Sequence, residues 1–454
     1  MKKLKVAILM LKSIDGTGVT IFSMQHKTWL EKNNHECDII SLNIGKSYVR
    51  AANFKGLYEN VEITDLVNKD FIQRINEYDV VILNSYPDKT CELDFLYKVI
   101  KFWNTSINKP IKVNMMHEIK KPIYTRIPNL PLYFLSSDVV ITFDTKGHFA
   151  KDIKQYLPEY IEQDRFIDYT LPLDLNELDL YSSSIPFSEK TNGILYLGRS
   201  SSLKAPDRLV KFQEILNKKE NSDFTTEMLG IEKSPSAYFL FLQHPLVNYI
   251  NKKNPDFKPM MTNVRKPYFR EVGMKYMADF KFSSNFYHLS EKEKDNYGNR
   301  MEYSMMESAY LTVPVFDEHW AKNNFDISGR SFFDIPYSAI YINANKLEEG
   351  LNKLIEVSKN EEEWNKYNKV STEVIRRNYD ADIIIEKYYQ RILDIGKGNI
   401  KINAKEFLKR MNKKPVQISK DLQFSFSETI NKLKWNGKQL NKAPYSEIKN
   451  FYEL

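Results

Sequence analysis

Short apolar runs alternate with amphipathic stretches along most of this chain. KVAILML from Lys5, CDIISL from Cys37, YDVVILNS from Tyr78, IKVNMMHE from Ile111 and SSDVVITFD from Ser136 are rich in β-branched residues and bounded by polar ones, which predicts buried strands. Segments long enough for helices separate them, and such alternation builds a parallel sheet wrapped by helices. The polar, proline-containing stretch from 169 to 192 breaks the rhythm and reads as a linker. A second alternation follows: GILYLGRS, FTTEMLGI, YMADFKFS, VPVFDE and SAIYINA predict strands. KLEEGLNKLIEVSK and ADIIIEKYYQRILDI predict amphipathic helices, the latter with Asp380 as its N-cap.

Two Rossmann-like α/β halves are therefore expected, 1–175 and 176–395. Open parallel sheets bind ligands at the carboxyl ends of their strands, so two facing halves place a nucleotide in the cleft between them. That is the GT-B arrangement of two Rossmann-like domains. After Gly398 the periodicity fades and basic side chains outnumber acidic ones by more than two to one, so 396–454 is expected as a basic C-terminal extension. A solvated helical cap and a nucleic-acid arm are its two readings. Its last residues, EIKNFYEL, are aromatic and acidic, and read either as a packing segment or as a docking peptide for a replication protein.

Composition narrows the class. At 454 residues the chain is long enough for two or three cores, and 42% hydrophobic with 28% charged residues marks it as globular. No run of about eighteen apolar residues offers a membrane span, and the opening apolar run is too short for a secretory signal. Cys37 and Cys91 lack metal-ligand spacing and cannot form a disulfide framework, which fits a reducing cytoplasm and argues against zinc. The net charge of +7, from 66 basic and 59 acidic residues, permits a polyanionic partner without demanding one.

Four stretches carry candidate chemistry. In DGTGVTIFS, Gly16 and Gly18 let the backbone turn sharply after the first strand and bring helix N–H groups, with Val19, close to an anion. A tight turn without a ligand is the plainer alternative. In LGRSSSLKAP, Arg199 and Lys204 follow a strand end and can neutralise a diphosphate, though such a pair is more often a surface feature. In NRMEYSMMESAYLTVPVF, Glu302 and Glu307 lie among Met301, Met305, Met306, Ala309 and Tyr310, so the segment is expected to be buried. A carboxylate without a partner is costly there, which favours a role in accepting hydrogen bonds from ribose or sugar hydroxyls. In VNMMHEIKKP, His117 and Glu118 follow a strand and can orient an acceptor hydroxyl or take its proton; a structural histidine is the alternative.

Taken in order, DGTGVTIFS, WLEKNNHE, ILNSYP, MHE, LGRSSSLK, EMLGIEKSPSAYF and RMEYSMMESAYLTVPVF resemble the retaining GT-B glycosyltransferases, and more closely the DNA α-glucosyltransferases of T-even bacteriophages, over about residues 1–395. The resemblance implies a uridine diphosphate sugar as donor, no further cofactor and no metal. It implies 5-hydroxymethylcytosine in duplex DNA as acceptor, retention at the anomeric carbon, and a place in the host cytoplasm during phage infection, where the modification shields DNA from restriction. Carried over by position, Arg199 and Lys204 hold the diphosphate, Glu307 the ribose, Glu302 the sugar, and GIEKSP around Ile231 and Ser234 the uracil. Gly16, Gly18 and Val19 approach the sugar diphosphate or the hydroxymethyl group, and His117 stands beside the reacting centre. Glu118 replaces the family's aspartate with a side chain one methylene longer. Lys120, Lys121, Arg126, Arg265, Lys266 and Arg270 are candidates for DNA phosphates. Glucose and arabinose both remain open as the sugar. A cell-envelope glycan as acceptor, or an inactive DNA-binding accessory protein on the same fold, are the rival readings.

Overall fold

The computed structural model describes residues 2–10, 18–43, 59–84, 99, 102–116, 137–142, 158–168, 170–182, 185–198, 207–219, 223–231, 260–262, 269–284, 301–326, 328–398, 434–435 and 438–439. In the first half, β1 (Lys5–Met10), α1 (Gly18–Lys32), β2 (Glu36–Asn43), β3 (Glu59–Glu62), α2 (Lys69–Ile75), β4 (Val80–Leu83), β5 (Ile111–Met116), β6 (Val139–Thr142), α3 (Pro158–Glu162) and β7 (Phe166–Asp168) follow one another. The seven strands form one sheet in the order β3-β2-β1-β4-β5-β6-β7, with every pairing parallel. Val6 to Met10 and Val80 to Leu83 are all buried, as expected of central strands covered on both faces.

After the short α4 (Leu175–Asp179), the second half runs β8 (Thr191–Gly198), α5 (Asp207–Leu216), β9 (Thr225–Ile231), β10 (Met260–Thr262), α6 (Phe269–Ala278), β11 (Phe280–Ser284), α7 (Tyr303–Leu311), β12 (Val313–Asp317), α8 (Glu318–Lys322), β13 (Ile340–Ile342), α9 (Leu347–Ser358) and α10 (Glu361–Tyr379). Its sheet order is β10-β9-β8-β11-β12-β13, again all parallel. Both sheets are doubly wound, and strand order reverses once in each: between β1 and β4, and between β8 and β11. Such reversals open a crevice at the carboxyl ends of the strands, where ligands bind. The GT-B class expected from the sequence is the one present.

Several elements differ from the expectation. YMADFKFS is not one strand: Tyr276 to Ala278 close α6, and Asp279 separates it from β11. The stretch read as a linker contains α4, capped by Asp174, whose carboxylate accepts from the Glu177 N–H. Asp380 caps α11 (Ala381–Ile395) as expected, accepting from the Asp382 N–H.

Two chain crossings join the halves, and they lie side by side. The Leu173 N–H donates to the Tyr379 carbonyl at 2.7 Å and the Ala381 N–H to the Leu173 carbonyl at 3.0 Å. After the second crossing, α11 packs on α1: the Tyr389 ring stacks on Trp29 at 6.1 Å and its hydroxyl meets His26 Nδ1 at 3.1 Å. One hydrophobic cluster accordingly runs through both halves, from Val6 and Ile8 through Trp29 and Tyr389 to Met305 and Met306. The chain then reaches the amino-terminal edge of the first sheet, where the Gly398 N–H donates to Asp138 Oδ1 at 3.0 Å. Beyond Gly398, the described part of the basic extension is an antiparallel pair, β14 (Lys434–Trp435) with β15 (Lys438–Gln439).

Candidate active site

At the first reversal point, β1 is followed in sequence by α1, and Gly18 is the first residue of that helix. At the second half's carboxyl edge, α7 begins at Tyr303 with Glu302 as its N-cap residue. The two helix starts meet. A methyl group added to Gly18 would stand 3.6 Å from the Tyr303 ring, so the first turn of α1 and the first turn of α7 face each other across the halves. Helix N-termini carry partial positive charge and N–H groups without acceptors inside the helix, so two of them side by side favour an anionic ligand.

Of the expected residues, Gly18 thus lies against Tyr303 with Val19 next to it in α1, and the helix that Tyr303 begins has Glu302 at its N-cap and Glu307 four residues beyond Tyr303. Glu307 is only 3% exposed, and Met301, Met305, Met306, Ala309 and Tyr310 are all buried, in line with the burial read from the sequence. Three hydroxyls seat the far end of α7 on β11: Ser283 Oγ bonds Ser308 Oγ and, at 2.6 Å, Thr312 Oγ1. On the flank of α7, the Tyr310 hydroxyl donates to Asp179 Oδ1 at 2.5 Å, and Arg376 reaches both. Burial, and next the bond to Asp179, push the Tyr310 phenol up, which keeps it a donor. This node ties α7 to α4 at the crossing between the halves.

Beneath α1, the wholly buried Asn84 follows β4 and donates from Nδ2 to the Val19 carbonyl at 2.9 Å and to Ser23 Oγ at 2.6 Å. In the sequence Asn84 passes for the polar residue that ends an apolar strand; its place at the reversal point is the signal that picks it out. Arg208, in the first turn of α5, is a cation engaged within the fold itself. It pairs with Asp317, both nearly buried, and Asp317 also caps α8 by accepting from the Trp320 N–H at 2.9 Å.

Gly16, His117, Glu118, Lys120, Lys121, Arg126, Arg199, Lys204, Ser234, Arg265 and Lys266 lie outside the described residues. Ile231 ends β9 and Arg270 lies in the first turn of α6, each described in backbone only. Arg199 directly follows Gly198, the last residue of β8, in sequence, and β8 borders the second reversal point. Among the described residues, no group of three or more His, Cys, Asp or Glu is placed to hold a metal ion, and no helix is long and apolar enough to cross a membrane.

No family model matches the chain. It is 21% identical over 412 residues to the DNA alpha-glucosyltransferase of Enterobacteria phage T4, a match that spans 86% of this chain and all of that protein. The chain is related to the phage DNA α-glucosyltransferases. Their fold is also its fold: an alpha-glucosyltransferase in complex with UDP and a 13-mer DNA containing an HMU base superposes with a TM-score of 0.72 at 20% identity, over 87% of this chain and 100% of that one. The same kind of enzyme with UDP-glucose and DNA containing an abasic site gives 0.69 at 19% identity, over 86% of this chain and 100% of that one. A more distant likeness, TM-score 0.55 at 11% identity over 86% of this chain and 100% of the other, is to Anabaena Alr3699/HepE in complex with UDP and glucose.

Proposed function

We propose that the protein transfers a sugar from a uridine diphosphate donor to 5-hydroxymethylcytosine in duplex DNA, with retention at the anomeric carbon. The observation that carries this reading is the meeting of the α1 and α7 first turns at Gly18 and Tyr303, where two parallel-sheet halves present an anion-favouring surface, on a helix that also carries the buried Glu307. Relatives whose structures hold UDP, UDP-glucose and DNA support the donor and the acceptor class.

In this reading Glu307 accepts from the ribose, Glu302 from the sugar, and the backbone at Gly16, Gly18 and Val19 lies along the sugar diphosphate. Ile231 and Ser234 border the uracil. The bond between the anomeric carbon and the β-phosphate oxygen breaks while the hydroxymethyl oxygen joins that carbon on the same face. Its proton passes to the departing phosphate, which is close enough to receive it. Arg199 and Lys204 neutralise the charge that grows on the diphosphate, an effect worth several kcal/mol in a site that excludes water. His117 and Glu118 orient the incoming hydroxyl. The cytosine edge is stacked within the duplex, so the base must leave the stack, and contacts from Lys120, Lys121, Arg126, Arg265, Lys266 and Arg270 to phosphates offset that cost.

The test is incubation of the protein with hydroxymethylated and unmodified duplexes and a panel of uridine diphosphate sugars, followed by digestion to nucleosides and mass spectrometry. A hexose or pentose increment on hydroxymethylcytosine alone is expected, and the increment names the sugar. Donor turnover with no labelled nucleoside would overturn DNA as the acceptor.

A further inference from the structure

We propose that Asn84, together with Ser23, is a positioning residue of the donor site, which fixes the first turn of α1 in the orientation that receives the diphosphate. The assignment rests on the uridine diphosphate reading above and adds to it a residue that touches no ligand.

The geometry is local and specific. Asn84 is 0% exposed and stands one residue beyond β4, at the point where the strand order of the first sheet reverses. Its backbone N–H donates to the Leu9 carbonyl at 2.8 Å, which fixes it against the end of β1. Its Nδ2 donates to Ser23 Oγ at 2.6 Å and to the Val19 carbonyl at 2.9 Å, and Ser23 Oγ donates to that same carbonyl at 3.1 Å. Burying a carboxamide costs free energy unless its hydrogen bonds are made. Here they are made to Val19 and Ser23, the second and sixth residues of α1, and Val19 lies in the turn that faces Tyr303.

Two effects follow. First, a helix start held only by its own ladder frays, whereas one whose carbonyl is tied to the sheet keeps its N–H groups aimed in one direction. Second, the Val19 carbonyl shares its peptide group with the Thr20 N–H. Extra donors on the carbonyl polarise that peptide and strengthen the N–H as a donor, as in any hydrogen-bonded chain. Both act on the diphosphate and neither acts on the base or the ribose, which the second half holds.

The experiment compares the full-length wild type with Asn84→Ala, Asn84→Asp and Ser23→Ala, measuring affinity for UDP and for uridine by calorimetric competition. UDP affinity is expected to fall about tenfold in Asn84→Ala and further in Asn84→Asp, whose carboxylate opposes the Val19 carbonyl, and about threefold in Ser23→Ala. Uridine affinity stays unchanged in all three. Ser23→Ala removes one hydroxyl from a helix position that alanine favours, so it carries the test if the Asn84 variants do not fold. Equal loss for UDP and uridine, or an unchanged UDP affinity, would overturn the assignment. A wild type that binds UDP no better than uridine would overturn the donor reading itself, and the assignment with it.

Discussion

The two helices that meet at the cleft are held in different ways. The first turn of α1 leans on one amide and one hydroxyl, all within its own half, at Asn84 and Ser23. By contrast, α7 is held at its far end by Ser283, Ser308 and Thr312 and along its flank by Asp179 and Arg376, from its own sheet and from the crossing between the halves. The difference follows what each helix presents. Backbone N–H groups need only be aimed, because an anion accepts from a range of directions. A carboxylate that reads a pair of hydroxyls, the role proposed for Glu307, needs its helix fixed in rotation and in depth, and more contacts are required to fix both.

Four substitutions separate what these helices do from what Arg199 and Lys204 do. The largest effect is expected from Arg199→Ala or Lys204→Ala, which should lower kcat by about a hundredfold and weaken donor binding only a few-fold, because in the proposed reaction these charges act as the phosphate departs. Single-turnover kinetics with separate donor titration checks this; equal losses in both quantities would place the two cations with the helices as ground-state contacts. Next, Glu307→Ala should raise the donor Kd about tenfold and leave kcat nearly unchanged, since the proposed ribose contact is present before and during reaction. Unchanged donor affinity would remove Glu307 from the site. The smallest effect is on the seat of α7. Thr312→Val keeps the shape and removes the hydroxyl, and should lower unfolding free energy by about 1–2 kcal/mol in a denaturant titration. It should also weaken UDP and uridine equally, in contrast to the change expected at Ser23.

The sequence made the central strands legible because they are buried on both faces, as Val80 to Leu83 are, and an unbroken apolar run of that length has few other uses. Three of the four edge strands of the two parallel sheets, all but β13, escaped notice for the opposite reason. Glu59–Glu62, Phe166–Asp168 and Met260–Thr262 are three or four residues long, and their pairing is supplied by neighbours rather than by their own pattern. The nineteen-residue α10 is dominated by charged and polar positions, with Trp364, Val374, Ile375 and Tyr379 as its buried apolar contacts, so its periodicity is thin. At the site, the helix that opens at Gly18 and the burial around Glu307 could each be read locally. That Gly18 would face Tyr303 could not, because the contact depends on how the two halves pack and no local pattern encodes it.

The docking of α11 on α1 sets an order of events during synthesis. Lys32 and Asp382, which form a 2.8 Å ion pair, are 350 positions apart, so at about 5–20 residues per second α1 waits some tens of seconds for its partner. Throughout that interval the face of α1 that carries Trp29 lacks the Tyr389 ring that covers it in the finished protein. The ribosome thus completes the second sheet while the first is still missing a wall. A nascent chain released before Ala381 leaves an aromatic surface for chaperones to hold, or for another unfinished copy to find.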